Sequence, residues 1–454
     1  MRRAACSLAL LALTLAGPAR ADDTHYHDYP IGGRAVGLGG AFVALASDPS
    51  GLYYNPAGIV DSRHHSVQIS TNLYGLEVAD TFFDALGQVG ELQTVFADLN
   101  IIPSSAAFTG VIDADDDGKP TTSYALGSFV PSYRSLNLDS ASESDIGPCR
   151  QLSYERSLLD RTFLFGAAAG HRLDDTWQFG TSAFLAYRSL RDREEVACFG
   201  DGSAFSSAST NLNLSAASLL LSFGIKAHLG HNLYLGGTIT SPSIRLFDSG
   251  SIRVRRGGVD PDSGDSEFLL KELTDLTANT RYSTAIRVGL AWVIPGTATL
   301  AFDADFRAPT KYDLVELPPG ETEIRDAITL TTHVERRAVL NMNLGGEYLV
   351  TKSLSVALGL FTNFSTAPNI PGAVGDTFKQ DSLPDIDAFG GSLVLGFFGE
   401  YTLTRAGFTM SYGEGTDVVP SSQGLAALGQ ATDYLKVDYS QLFLYFFVSS
   451  TFRY

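Results

Sequence analysis

Apolar and polar positions alternate along much of the chain. Across 282–292, Tyr282, Thr284, Ile286, Val288, Leu290 and Trp292 share one face, and Ser283, Ala285, Arg287, Gly289 and Ala291 share the other. Across 299–306, Leu300, Phe302, Ala304 and Phe306 oppose Thr299, Ala301, Asp303 and Asp305. Leu340, Met342, Leu344 and Tyr348 oppose Asn341, Asn343, Gly345 and Glu347. A period of two predicts strands, so the chain is read as all-β. The apolar face is rich in aromatics, and the opposite face is small or charged.

A soluble sandwich and a membrane barrel share this pattern with opposite polarity. In a barrel the apolar face meets lipid and the polar face lines the lumen. Three features favour the barrel. Short turns at Asp113 to Pro120, Asp174 to Thr176, Gly230 to Asn232, Pro295-Gly296, Thr351-Lys352 and Thr404-Arg405 alternate with long polar segments. Those segments are placed at 75–103, 134–160, 190–213, 248–279, 308–336, 364–387 and 414–438, and are expected to be loops. The spacing predicts about 14 strands, an even number as this class of barrel requires. The arms of the hairpin 161–189 are long enough for the ~9–11 residues of a tilted spanning strand. Finally, the chain closes in "LFLYFFVSSTFRY", an aromatic-ended strand that fits recognition by the barrel-assembly machinery. An exposed edge of that composition would invite aggregation. The expected architecture is a transmembrane antiparallel β-barrel over 63–454.

The start is different. Met1-Arg2-Arg3, an apolar run to Leu15 and Ala19-Arg20-Ala21 read as a secretory signal peptide over 1–21. The apolar run is far short of the ~20 residues of a spanning helix. Cys6 precedes that run rather than following it, which argues against a lipid anchor. The mature chain would keep Cys149 and Cys198. In an exported protein the pair reads as one disulfide, with two free thiols as the alternative. A net charge of −18 argues against a nucleic-acid partner, which needs basic patches.

A lumen of about 14 strands is too wide for its own side chains to fill. Residues 22–62 hold no convincing strand. They carry small residues suited to close packing, Gly39 and Gly40 among them, an acidic turn at Asp48-Pro49, and Asn55-Pro56-Ala57-Gly58. Pro56 fixes its own φ and pushes Asn55 toward extended geometry, and Gly58 permits a tight exit. This segment is expected to be a hatch folded inside the lumen.

The stretch "GRAVGLGGAFVALASDPSGLYYNPAGI" resembles the opening of the FadL-type outer-membrane transporters of long-chain fatty acids and other hydrophobic compounds. The resemblance implies a 14-stranded barrel with an internal hatch in the bacterial outer membrane. It implies passive uptake: capture at an outer apolar groove, a pocket over the hatch, hatch rearrangement and sideways exit into the membrane. Gating then falls to Asn55, Pro56, Ala57, Gly58, Gly39, Gly40 and Asp48. The partners implied are a fatty-acid-like hydrophobic small molecule and outer-membrane lipid, with the protein as a monomer. "FFDALGQVGELQTVFADL" (82–99) and "FLLKELTDL" (268–276), amphipathic at helical spacing, are the groove candidates. A non-transporting scaffold or protein-secretion shuttle barrel with the same motif is the alternative.

Other signals weigh less. Asp113, Asp115, Asp117 and Gly118 match part of a calcium loop, but Tyr124 stands where Glu is needed. Gly37, Gly39 and Gly40 are preceded by no strand and followed by no Walker lysine, so they make no phosphate loop. His25/His27 and His64/His65 are read as polar contacts, and no metal or cofactor is expected. No serine stands out with a histidine partner, so no enzyme is expected. Arg287, Asp303, Asp305 and Glu347 fall on the inferred lumen face, where charges pair with each other or with the hatch.

Overall fold

The computed structural model describes residues 25, 31–62, 64–82, 91–98, 102–143, 149–200, 205–259, 266–328, 330, 332–368, 385–420 and 434–454. The expected signal peptide lies outside the described residues. Among those residues the sheet comprises 17 hydrogen-bonded segments, in which three strands are each interrupted once, giving a closed wall of 14 antiparallel strands.

The wall strands are β1 (Ser66–Phe82), β2 (Glu91–Asp98, then Ile102–Ala114), β3 (Pro120–Glu143), β4 (Cys149–Arg172), β5 (Trp177–Gly200), β6 (Phe205–His228) and β7 (Leu233–Thr240, then Ile244–Val259). They continue with β8 (Ser266–Leu276, then Ala285–Ile294), β9 (Ala298–Arg307), β10 (Val339–Thr351), β11 (Leu354–Asn363), β12 (Asp385–Phe398), β13 (Thr402–Pro420) and β14 (Tyr434–Arg453). Closure is by β1 on β14, from Ser66 opposite Arg453 to Thr81 opposite Tyr439. No edge is left on that side, which is how a barrel satisfies its backbone in lipid.

The predicted polarity is observed. Ile286, Val288, Leu290 and Trp292 on β8 are exposed, as are Leu300, Phe302 and Phe306 on β9 and Leu340, Met342 and Leu344 on β10. The alternate residues Ala291, Ala301, Asp303, Asp305 and Glu347 are buried inside. At the C-terminus Phe446, Phe452 and Tyr454 face outward. Tyr282 departs from the expectation. It precedes the strand, turns inward and donates its hydroxyl hydrogen to Thr162 Oγ1 across the lumen (3.4 Å).

Several expected loops are not loops. Residues 134–143, 149–160, 190–200, 205–213, 248–259 and 266–276 continue the wall as strands. β3, β4, β5 and β6 are each 24 residues long, about twice what lipid requires. The sequence hides this for a physical reason. Beyond the lipid the outer face is wet, so charged runs such as Arg191 to Glu195 replace its apolar residues. Backbone pairing is indifferent to that change. The inner face turns mixed as well: Leu190, Val196 and Cys198 stay buried on β5, with the buried Glu194 among them. Both groove candidates fall on such strands where they are described; residues 83–90 lie outside the described residues. Residues 91–98 and 268–276 are extended rather than helical, and their apolar spacing is that of paired strands.

The long connection after β9 folds back. Thr310–Asp313 pairs with His333–Arg336, and a short helix spans Thr322–Ala327. Leu314, Ile324 and Val334 pack with Leu190, Leu212, Ile252 and Val254 of the extended wall. The break in β8 joins this cluster. Ala278 bridges to Val315, and the Asn279 amide donates to Leu314 O.

Candidate functional site: the N-terminal segment and the cavity above it

Residues 31–62 fold into α1 (Gly33–Gly37), α2 (Gly51–Tyr54) and a 3₁₀ turn (Pro56–Asp61). Pro56 stands at the first position of its turn, where its missing N–H has no consequence. The segment crosses the barrel: α1 touches β10 to β14, and the 3₁₀ turn touches β3 to β6. Leu38, Phe42, Leu52 and Ile59 are fully buried, each contributing roughly 1.5–3 kcal/mol of apolar transfer.

Among the polar contacts that tie this segment to the wall, four centre on Asp303, Glu347, Asp61 and Asn55. Asp303 Oδ2 accepts from the amides of Phe42 (2.6 Å) and Val43 (2.8 Å). Glu347 Oε2 accepts from Arg34 (2.9 Å), and its Oε1 accepts from Arg405 of β13 (3.1 Å). Asp61 accepts from Lys226 of β6 (2.7 Å) and Gln178 of β5 (2.7 Å), with Arg172 at 3.4 Å. Burial pushes the Asp61 carboxyl up, but Lys226, helped by Gln178 and Arg172, holds it below the usual range. Asn55 is the fourth. Its Nδ2 donates to Val43 O (2.9 Å) and to Ile225 O of the wall (3.0 Å), while its Oδ1 accepts from the Ala57 amide (3.1 Å).

Asp48 caps its own turn through the Ser50 amide (2.9 Å) and receives Gln68 of β1 at 3.4 Å. Ala57 and Gly58 are buried, and a Cβ on Gly58 would stand 2.6 Å from Ala46 O. Gly39 and Gly40 have φ of +61° and +91°, the left-handed region that suits glycine. The wall meets the segment with glycines of its own. A Cβ on Gly236 would lie 2.5 Å from Val43 O, and one on Gly359 2.0 Å from Gly39 N. Gly180 and Gly345 show the same close approach on other strands, to the backbone of Pro56 and Leu38. Backbone meets backbone here with no side chain between.

Above the segment, on the long-loop side, lies a cavity of about 70 Å³. Its floor is Ile31, Gly39, Gly40, Val43, Tyr53 and Tyr54, and its walls include Arg287, Asp303, Asp305, Asn341, Asn343 and Phe361. The guanidinium of Arg287 donates to Asp305 (2.9 Å) and lies over the rings of Tyr53 (5.1 Å) and Tyr54 (5.9 Å). Arg307 also donates to Asp305, at 3.0 and 3.1 Å. At the short-turn mouth a second hollow of about 440 Å³ is lined by the charged Arg34, Asp61, Glu347 and Arg405 and by the apolar Val293, Ile294, Leu349, Phe398 and Leu403. The two ends of the lumen thus differ: two tyrosines floor the cavity above the segment, and four paired charges, Arg34, Asp61, Glu347 and Arg405, stand in the hollow below it.

A closed 14-stranded wall around an internal N-terminal segment is decisive when set against solved structures. The fold is that of the FadL-type transporters. A Pseudomonas aeruginosa FadL homologue matches over 94% of this chain and 99% of its own, at a TM-score of 0.59 and 12% identity. The P. putida toluene transporter TodX matches over 94% and 99%, at 0.57 and 14%. The Ralstonia pickettii toluene transporter TbuX matches over 94% and 98%, at 0.51 and 11%. No family profile and no curated protein matches the sequence.

Within this FadL-type frame, the residues singled out by sequence are brought together unevenly. Asn55, Asp303, Asp305, Glu347, Arg287, Gly39 and Gly40 converge on the segment and its cavity. Asp48 belongs to the opposite mouth. Cys149 and Cys198 stand not in separate loops but on paired strands, with Leu152 opposite Cys198 and Cys149 opposite Gly200; the side chain of Cys149 lies outside the described residues. Asp115 accepts from the amides of Asp117 (3.1 Å) and Lys119 (2.8 Å), an acidic turn that caps itself. His25 contacts Ile386 O, and His65 stacks between Phe108 and Tyr454. Among the described residues no cluster of three His, Cys, Asp or Glu is placed to hold a metal.

Sequence reading missed Asp61, Lys226, Arg34 and Arg405. Lys226 offered a signal, as a lone cation on the inner face of "SFGIKAHL". Its partner is 165 positions away in sequence, so no local pattern pairs them.

Proposed function

We propose that this protein is a passive outer-membrane channel for hydrophobic small molecules, the class that spans long-chain fatty acids and aromatic hydrocarbons. The observation that carries the reading is the cavity that rests on the N-terminal segment, with Tyr53, Tyr54 and Phe361 in its lining. Its aromatic lining with a few polar groups suits a hydrophobic small molecule. The FadL-type fold supports it, since similar solved structures are described as toluene transporters and a monoaromatic hydrocarbon channel. In this reading residues 31–62 act as a hatch. Ligand enters from the long-loop side, rests on Tyr53 and Tyr54, and leaves sideways into the membrane. The protein works as a monomer in outer-membrane lipid after insertion by the barrel-assembly machinery, without cofactor.

Native mass spectrometry of detergent-extracted protein tests the reading together with uptake of labelled hydrophobic probes into proteoliposomes. Bound lipid-like molecules and faster probe entry than with empty liposomes are expected. A co-purifying secreted protein with no hydrophobic ligand and no probe entry would replace transport with a shuttle role.

A further inference from the structure

We infer that the outer face of the wall, just above the lipid, binds a phosphate-bearing lipid of the outer leaflet through Arg191, Arg193, Arg253 and Arg255. This rests on the outer-membrane reading above and adds a second site to it, on the opposite side of the wall from the cavity.

The register marks where the lipid ends. Phe163 of β4, Tyr187 of β5, Ala217 of β6 and Phe247 of β7 are successive cross-strand partners and form one row. Toward the short turns the same face is apolar, with Phe165, Leu185 and Phe223 exposed. Toward the long loops it changes at once. The next row reads Arg161, Ser189, Ser215 and Ser249. Beyond it Arg191 and Arg193 of β5 stand opposite Asn213 and Asn211 of β6, and Arg253 and Arg255 of β7 stand opposite Asn211 and Ser209. Neighbouring strands lie ~4.8 Å apart, so the two arginine pairs flank β6 at a separation of about 10 Å. Only short polar side chains lie between them.

This concentration of arginine runs against the chain, whose net charge is −18. The nearby acids Glu155, Glu195, Glu272 and Asp275 stand at the margins of the patch, on β4, β5 and β8. Arg193 meets Glu195 at 2.8 Å and Arg253 meets Glu272 at 2.6 Å, but the two arginine side chains are 48% and 53% exposed. Exposed pairs of this kind are weak and leave donors on each guanidinium for another acceptor. Arg191 and Arg255 are exposed and make no ion pair among the described residues. A guanidinium fork matches phosphate with two parallel N–H donors. The amides of Asn211 and Asn213 suit the hydroxyls of a sugar headgroup. Free phosphate offers the same anion, but only a lipid also lays acyl chains along Phe165, Leu185 and Phe223 below the patch.

Native mass spectrometry of the full chain tests this with four probes. They are a diphosphorylated glucosamine disaccharide lipid (lipid A), its monophosphoryl form, phosphatidylcholine, and soluble glucosamine 6-phosphate. The diphosphoryl lipid should bind about tenfold or more tighter than the monophosphoryl form, and the sugar phosphate should not displace it. Replacing all four, Arg191→Gln, Arg193→Gln, Arg253→Gln and Arg255→Gln, should bring that preference close to unity. Arg281→Gln with Arg325→Gln, at exposed positions elsewhere, should preserve it. Insertion is checked by heat-dependent migration. If the fourfold variant fails to insert, Arg191→Gln with Arg255→Gln takes its place and should lower the preference. An unchanged preference in the inserted variant, or displacement of the lipid by sugar phosphate, overturns the site. Uptake of hydrophobic probe by the same wild-type preparation separates the two readings. Uptake without a lipid preference overturns the site and leaves the channel standing, and a lipid preference without uptake does the reverse. Failure of the wild-type chain to insert into bilayers overturns both.

Discussion

Lys226 of β6 and Asp61 at the end of the 3₁₀ turn lie 2.7 Å apart, joining the wall to the last turn of the N-terminal segment. The Lys226 side chain is 5% exposed and that of Asp61 25%, so the pair is largely sheltered from water. Removing one partner of such a pair leaves the other charge buried, at a cost of roughly 3–5 kcal/mol. Asp61→Asn should lie at the lower end, given its partial exposure. It should raise hydrogen exchange in 56–62 while exchange in β10 to β12 is unchanged. Equal exchange in variant and wild type would make the pair incidental.

The same pair gives a pH dependence. The Asp61 carboxyl is held below its ordinary value in the folded state. Its contribution is therefore fully present above the unfolded value of about 4, and is lost as pH falls through the lower folded value. Conductance in planar bilayers should stay low at neutral pH and rise only under strong acid. Asp61→Asn should remove that acid step.

Asn55→Ala should reduce uptake of hydrophobic probe without making the membrane leaky. It deletes three hydrogen bonds and strands the carbonyls of Val43 and Ile225, each worth about 1–3 kcal/mol if left unmet. Pro56 and the buried apolar residues remain. Deleting 22–60 should instead leave an inserted barrel that conducts. A deletion that conducts no better than wild type would mean that the segment does not plug the lumen.

Gly236 and Gly237 are neighbours with opposite consequences. A Cβ on Gly236 meets the Val43 carbonyl at 2.5 Å, whereas one on Gly237 meets only Ile225 Cγ2 at 3.3 Å. Gly236→Ala should shift the segment and raise basal conductance. Gly237→Ala should not. Matching conductances would show that the close approach is not required for the seal.

Val288 faces outward at 48% exposure. Val288→Arg should destabilise the inserted barrel by roughly 2–4 kcal/mol if it sits near the midplane, measured by urea unfolding in bilayers. Cys149 and Cys198, on paired strands, should form one disulfide if the protein is exported as proposed. Non-reducing peptide mapping that recovers both as free thiols would overturn it.

What the sequence determined by itself was the wall within lipid. There each residue has only two environments, lipid or lumen, so the period of two in 286–292 and 300–306 writes the fold directly. The C-terminal aromatics and turn spacing follow from the same constraint. Above the lipid both environments are wet or mixed, so the charged run at 191–195 concealed a strand, and 268–276 passed for a helix. Only the tertiary structure decided which lumen charges meet. Asp303 reaches two amides of a segment 260 and 261 positions earlier, and Glu347 joins Arg34 to Arg405. Those pairings depend on which strand faces which across a closed ring. That is a property of curvature and register, and no stretch of sequence holds both partners.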